Sequence, residues 1–391
     1  MKLNTVYCIL FLTCLPLGAP LSASMAFMGQ LLAKYPQAFA LYALLAPAFI
    51  AQIPYSIPYA VSAPPQHLRR FLRLRQAIQY GPWAWYLGCK AARFGRAHGG
   101  TAVLADLAFE AVIAGRVAAQ TLGVPLLTMV HDDPVNRLRV KKTPAWFLGW
   151  YESQFARALS VSRQTAVICD AMGETYRQRY GARTVTLFPG VEPSACLPPR
   201  PLDLAEAPIV VGSVGSVTSP ANWNMLVEAV AWLNRRHGDG KFRVLHLGAP
   251  PQNVSLSGDV EITGWLPEAD FTQALGRIDI GFLTWDFSPE VAETARTSFP
   301  LKTSSYIQAQ VPMLAFGSAD STVVRFVQEY ACGMVCIVPE AEALAGQIEK
   351  LVFEENQYHS ALQGVMALKD IFSRQQFFDR FERFVELAIE H

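Results

Sequence analysis

The stretch Phe299-Pro-Leu-Lys302-Thr-Ser-Ser-Tyr306, continuing to Val311-Pro-Met-Leu-Ala-Phe-Gly317, decides the fold class. A hydroxyl-rich turn opens a helix over Ser304–Ala309, and a short apolar strand, Met313–Phe316, ends at a glycine. Helix followed by buried strand is half of a parallel α/β unit, and the pattern recurs on both sides. Downstream, a strand at Met334–Val338 follows a helix at Thr322–Tyr330. Upstream, strands are expected at Pro208–Val214, Phe242–Leu247, Val260–Ile262 and Ile278–Thr284, with helices near Asn222–Arg236 and Glu268–Leu275. Further helices are expected at Glu340–Glu355 and about Arg374–Ile389. The amino-terminal half repeats the alternation, with strands at Val6–Leu15, Phe39–Ala46, Ala102–Leu107, Pro125–His131, Thr165–Cys169 and Thr184–Phe188. Its helices are expected at Phe109–Gln120, Ala145–Leu159 and Ala171–Tyr180. A proline-rich joint (Pro189, Gly190, Pro193, Pro198, Pro199, Pro201) separates the halves. The expected organisation is an α/β protein of two Rossmann-like domains facing across a cleft: 1–200, 201–372, and a carboxyl-terminal helix at 373–391 packing back toward the first domain.

The 391 residues are too many for one ordinary core and suit two domains. Disorder is excluded by 51% hydrophobic against 17% charged residues. No uninterrupted apolar run is long enough for a multi-span membrane protein. The net charge of +1 conceals an asymmetry: residues 1–200 carry 20 Lys and Arg against 8 Asp and Glu, residues 201–391 carry 13 against 24. A basic half implies either an anionic partner or attraction between the halves. The seven cysteines are irregularly spaced and form no zinc pattern, which points to free thiols, a reducing compartment and no metal site. At the amino terminus Lys2, the apolar run Val6–Leu17 and Ser24–Ala26 are compatible with a secretory signal. The preferred reading is instead a strand, a turn at Gly18 and a helix from about Leu21 to Lys34, because Met25, Met28, Leu31 and Leu32 recur at helical spacing beyond the supposed cleavage point.

From residue 208 onward the chain resembles the carboxyl-terminal domain of GT-B glycosyltransferases of the retaining family 4. The matching stretches, in order, are Ile209–Ser216 with Asn222–Leu226, Val244–Gly248, Val260–Trp265, Asp279–Trp285 and Phe299–Tyr306 through Gly317. Val130–Asp133 and Tyr176–Gly190 extend a weaker match into the first half. The resemblance implies a nucleotide-sugar donor (UDP- or GDP-sugar) and no other cofactor. It implies metal-independent transfer with retention onto a glycan or lipid-linked acceptor, in a polysaccharide-building role.

Strand-to-helix turns offer free N–H groups to a diphosphate. Gly215, Ser216 and Lys302 with Thr303, Ser304 and Ser305 are expected there, with Gly18 as a further donor-side glycine. Trp265 and Leu266 stand where the resemblance places the nucleotide base. Lys302 would neutralise the departing diphosphate; alternatively the three hydroxyls only cap a helix. His131 is the second catalytic candidate, at a strand end that can meet a sugar hydroxyl, with Asp132 and Asp133 on the acceptor side; Asp133-Pro134 would also start a turn. Two departures stand beside these. Gly215–Asn222 holds neither Arg nor Lys, and the paired-glutamate positions are Thr297 and Ser305. They keep open a non-catalytic binding or assembly protein of a glycan pathway, and an exported two-domain binding protein if the signal is real.

Pro64–Arg75 alternates cations and apolar residues. Arg69, Arg70 and Arg73 group on one helical face and Leu68, Phe71 and Leu72 on another, next to Trp83-Ala-Trp85-Tyr86. An anionic membrane surface is the partner this suggests, with a solvated helix face as the alternative. No motif for nucleic acid is present. The expected location is cytoplasmic, with the membrane's cytoplasmic face as the place of docking.

Overall fold

The computed structural model describes residues 8–13, 23–44, 57–62, 76–202, 204, 208–252, 254, 256 and 258–389, with side chains from 27 onward in the first helix. Gly18, Arg69, Arg70 and Arg73, and with them Leu68, Phe71 and Leu72, lie outside these residues. The chain divides into two compact units, Met1–Pro189 with Phe377–His391, and Gly190–Gln376. The division therefore falls at Pro189-Gly190, ahead of the proline-rich run to Pro201 rather than after it. Gly190 has no room to carry a side chain, since a Cβ would stand 2.5 Å from the Arg374 backbone.

The first unit is a seven-stranded parallel sheet in the order β3-β2-β1-β4-β5-β6-β7. Its strands are β1 Ile9–Thr13, β2 Phe39–Ala43, β3 Tyr59–Val61, β4 Ala102–Asp106, β5 Leu126–Val130, β6 Gln164–Val167 and β7 Thr184–Thr186. The helices are α1 Ala23–Lys34, α2 Ala84–Ala97 (preceded by a wide π-turn, Gln79–Trp83), α3 Ala111–Leu122, α4 Pro134–Val140, α5 Ala145–Val161 and α6 Asp170–Tyr180. At the amino terminus Ile9–Thr13 is a strand and Ala23–Lys34 a helix. Ile9–Thr13 is fully buried and pairs with β2 on one side and β4 on the other. Such a strand reads as a continuous apolar run because both faces are covered. Phe377, Phe378, Phe381 and Phe384 complete its core, packing with Phe27, Tyr35 and Phe39.

The second unit is a six-stranded parallel sheet, order β10-β9-β8-β11-β12-β13. Its strands are β8 Ile209–Val214, β9 Phe242–Leu247, β10 Val260–Ile262, β11 Ile280–Thr284, β12 Met313–Phe316 and β13 Gly333–Cys336. Helices α7 Pro220–His237, α8 Glu268–Leu275, α9 Ala292–Thr297, α10 Lys302–Ala309, α11 Thr322–Glu329, α12 Ala341–Phe353 and α13 Gln357–Ile371 follow in chain order, while α14 Arg374–Ile389 belongs from Phe377 onward to the first unit. The core gathers Trp223, Leu226 and Val230 of α7, the inward side chains of β8, β9 and β11, and Leu344 and Ile348 of α12. The strand order reverses between β8 and β11, and in open parallel sheets ligands are bound at the carboxyl ends beside such a reversal. The six cysteines among the described residues are all free thiols.

Candidate functional site

In the second unit every strand is parallel, so the turns after β8, β9, β10 and β11 share one edge. Gly215 leaves β8 with φ of +80°, a left-handed conformation suited to glycine. Its N–H donates to the Leu247 carbonyl (2.9 Å), and its own carbonyl lies where a Cβ of Gly248 would be, 2.3 Å away. Two glycines therefore let the turns after β8 and β9 touch backbone to backbone. Ser216, next along, is exposed. Ser219 caps α7, its hydroxyl oxygen accepting from Asn222 N–H (3.2 Å) while the hydroxyl bonds to Asp286. Buried Asn222 donates to the Trp285 carbonyl (2.9 Å) and bonds to Thr284. The start of α7 is thus fastened to the end of β11, which fixes a strand–turn–helix element able to face an anion with backbone N–H groups.

Lys302 is the first residue of α10, on the other side of the strand-order reversal. Tyr306, one turn later, fixes that helix. Its hydroxyl lies 2.9 Å from the Gly212 carbonyl and 3.0 Å from that of Phe282, bridging β8 and β11. Lys302 is half-buried and makes no ion pair among the described residues, and desolvation pulls its ammonium pKa down to about 8. A lysine held in this state gains most from an incoming anion. Near it stands a residue that its sequence context did not single out, His246 of β9. Burial lowers its pKa first, and the charge of Lys302 lowers it further, against hydrogen bonds that favour protonation. As the neutral ring, His246 donates from Nε2 to the Ala249 carbonyl (3.0 Å) and accepts at Nδ1 from Ser213 (3.2 Å). Thr303 is fully buried and its hydroxyl donates to the Pro300 carbonyl (2.8 Å), so its side chain closes the helix start instead of reaching a ligand. Ser304 and Ser305 are half-buried on the next positions. Gly264, at φ +73°, turns the chain after β10 and leaves the Trp265 ring 46% exposed, with Leu266 half-buried beside it.

The first unit holds the second cluster. His131 follows β5 directly, is buried, and packs edge-on against Phe27 (5.2 Å between ring centroids). Its Nε2 has no hydrogen-bond partner among the described residues, and desolvation lowers its pKa to about 4. A buried ring nitrogen without a partner is costly unless something else meets it. Asp132 reaches the surface, and the surrounding protein raises its pKa against the pull of Arg137. Asp133 serves the fold. Its carboxylate caps α4, accepting from the N–H groups of Val135 and Asn136 (2.8 Å each), and accepts from the Tyr176 hydroxyl (2.9 Å). Of the expected acceptor-side pair, Asp132 alone leaves its carboxylate available to solvent.

Solved structures match this architecture over nearly the whole chain. The structure of HepE from Anabaena, in complex with UDP and glucose, aligns at a TM-score of 0.68 and 16% identity, covering 97% of this chain and 99% of that one. A glycosyltransferase from Rickettsia africae gives 0.68 at 15% identity, covering 97% and 98%. Sucrose-phosphate synthase from Thermosynechococcus elongatus gives 0.67 at 13%, again covering 97% and 98%. The fold is GT-B. At these identities the likeness is one of fold. No protein-family model matches the sequence, and no curated protein does. Within the GT-B frame, β8 to α7 and α10 belong to the carboxyl-terminal Rossmann-like unit and His131 to the amino-terminal one.

Proposed function

We propose that the chain is a glycosyltransferase that moves a sugar from a nucleoside-diphosphate sugar to a glycan or lipid-linked acceptor, with retention and without a metal. The observation that carries this reading is Lys302: a half-buried cation without an ion-pair partner among the described residues, on the helix beside the strand-order reversal. The donor's diphosphate is assigned to Lys302, Ser304, Ser305 and the N–H groups of Gly215 and Ser216. The base is assigned to the turn at Gly264–Leu266, where exposed Trp265 offers a stacking face. Binding of UDP and glucose by HepE supports a uridine nucleotide as the first donor to try.

In the reaction the bond from the anomeric carbon to the diphosphate oxygen breaks and one to the acceptor hydroxyl oxygen forms on the same face. The acceptor proton passes to the departing diphosphate. Lys302 stabilises the negative charge that grows on that leaving group. No carboxylate base is needed, in keeping with Thr297 and Ser305 at the glutamate positions. His131 Nε2, buried and without a partner among the described residues, is assigned to a hydroxyl of the acceptor. Incubation with UDP- and GDP-sugars, with release of nucleoside diphosphate as the readout, tests the activity; no release from any donor would overturn it.

The same two positions, with the lack of Arg or Lys in Gly215–Asn222, favour a second reading. A GT-B protein of a glycan pathway that binds a nucleotide sugar without transferring it would show nucleotide affinity and no release.

A further inference from the structure

The chain contains no Asp or Glu before Asp106. In that acid-free region the described helix α2 is buried through Ala84, Leu87, Gly88, Ala91, Ala92 and Gly95. Its opposite face is exposed and sorted along its length: Trp85 and Tyr86 at the start, then Lys90, Arg93 and Arg96. Trp85 is 58% exposed, and the Lys90 ammonium lies over the Tyr86 ring, 5.4 Å from its centroid. None of the three cations has an ion-pair partner among the described residues; Arg96 donates only to the Thr121 carbonyl (2.9 Å). The aromatic end is extended by α5. Trp150 packs over Gly81, and Tyr80 over Phe147 at 5.9 Å, which brings the starts of α2 and α5 together. Trp146, one turn before Trp150, is 63% exposed there.

We infer that this face, Trp85, Tyr86 and Trp146 with Lys90, Arg93 and Arg96, docks the protein on an anionic lipid bilayer. Large aromatic rings left in water at one end of a cationic strip match the bilayer interface, where tryptophan and tyrosine settle at headgroup level and cations meet acidic headgroups. Along α2 the strip complements a negatively charged partner, since its own stretch of chain holds no carboxylate before Asp106. Among the described residues no helix is long and apolar enough to cross a membrane. The inference deepens the proposed lipid-linked acceptor and rests on that reading only for its purpose, since lipid binding and glycosyl transfer are measured separately.

The test is sedimentation of the full chain with vesicles of phosphatidylcholine alone and of phosphatidylcholine mixed with phosphatidylglycerol. Binding should require the anionic lipid and weaken with salt, with tryptophan emission moving to the blue on binding. Each surface cation contributes about fivefold to partitioning, so K90Q/R93Q/R96Q should bind roughly a hundredfold more weakly. W85A/W146A should lose the emission shift and the salt-resistant part of binding. Unchanged helix content and melting would show that both variants fold, and release of nucleoside diphosphate from a soluble donor should be unaltered in both. Equal binding to neutral vesicles, no binding to either, a charge-variant indistinguishable from the parent, displacement by RNA at equal charge, or self-association through this face would each overturn the inference.

Discussion

The ring of Tyr306 is pressed on Gly281: a Cβ at position 281 would stand 2.5 Å from the Tyr306 Cγ. This contact sits where β8 and β11 run side by side for only two residue pairs, Ile280 with Val211 and Gly281 with Gly212. The Tyr306 hydroxyl serves the strand carbonyls there, and its backbone carries α10, so Lys302 owes its position to a glycine on a neighbouring strand.

Gly281→Ala should therefore destabilise the second unit by about 1–3 kcal/mol through overpacking, and displace α10. Tyr306→Phe keeps the ring and removes the hydroxyl from two buried carbonyls, at a cost of about 1–3 kcal/mol. Denaturant unfolding reads the stability. Nucleoside-diphosphate affinity should fall more in Gly281→Ala than in Tyr306→Phe, because the alanine moves the helix and the phenylalanine does not.

The lowered pKa of Lys302, about 8, makes ligand binding pH-dependent. A diphosphate needs the ammonium form, so affinity should decline as pH rises through 8, and binding above that pH should take up a proton. Calorimetry in buffers of different ionisation enthalpy measures the uptake, and Lys302→Ala should abolish it. In the free protein the sign is the opposite of a stabilising ion pair. Between about pH 8 and the unfolded value near 10.5 the unfolded chain holds the extra proton, so this group's contribution to stability rises with pH across that window.

His131 gives a second pH signature. Its folded pKa of about 4 lies below the ordinary 6.5, so the unfolded state binds more protons between these values. Acidification from pH 6.5 to 4 should cost up to roughly 3 kcal/mol through this residue. His131→Gln should flatten that part of the stability profile. His131→Ala should reduce transfer to acceptor more than donor binding; equal loss of both would place it elsewhere in the chemistry.

Much of the architecture was legible because parallel strands buried on both faces are apolar runs. Phe242–Leu247, Val260–Ile262 and Met313–Phe316 agree with expectation to the residue. Helix α2 was not legible, since Gly81, Pro82, Gly88 and Gly95 read as breakers. In the structure Gly88 is a packing position: a Cβ would stand 2.7 Å from the Ala114 carbonyl and from Val117, so glycine allows α2 to lie close on α3. His246 was hidden for a different reason. It sits inside the run Val244–Gly248, and only the register of β8 with β9, Ser213 beside His246, brings it to the edge where Lys302 lies. Asp133 was legible as a turn residue through Asp133-Pro134, and its cap on α4 is the outcome.

The measurement that tests the central claim most directly is a calorimetric titration of UDP and GDP into the parent protein and into Lys302→Ala. The account predicts that one of the two nucleotides binds the parent and that the variant, still folded, binds it more weakly by about 1.5–3 kcal/mol, the loss of one charged contact. Absence of binding by the parent to either nucleotide, or equal affinity in parent and variant, would contradict it.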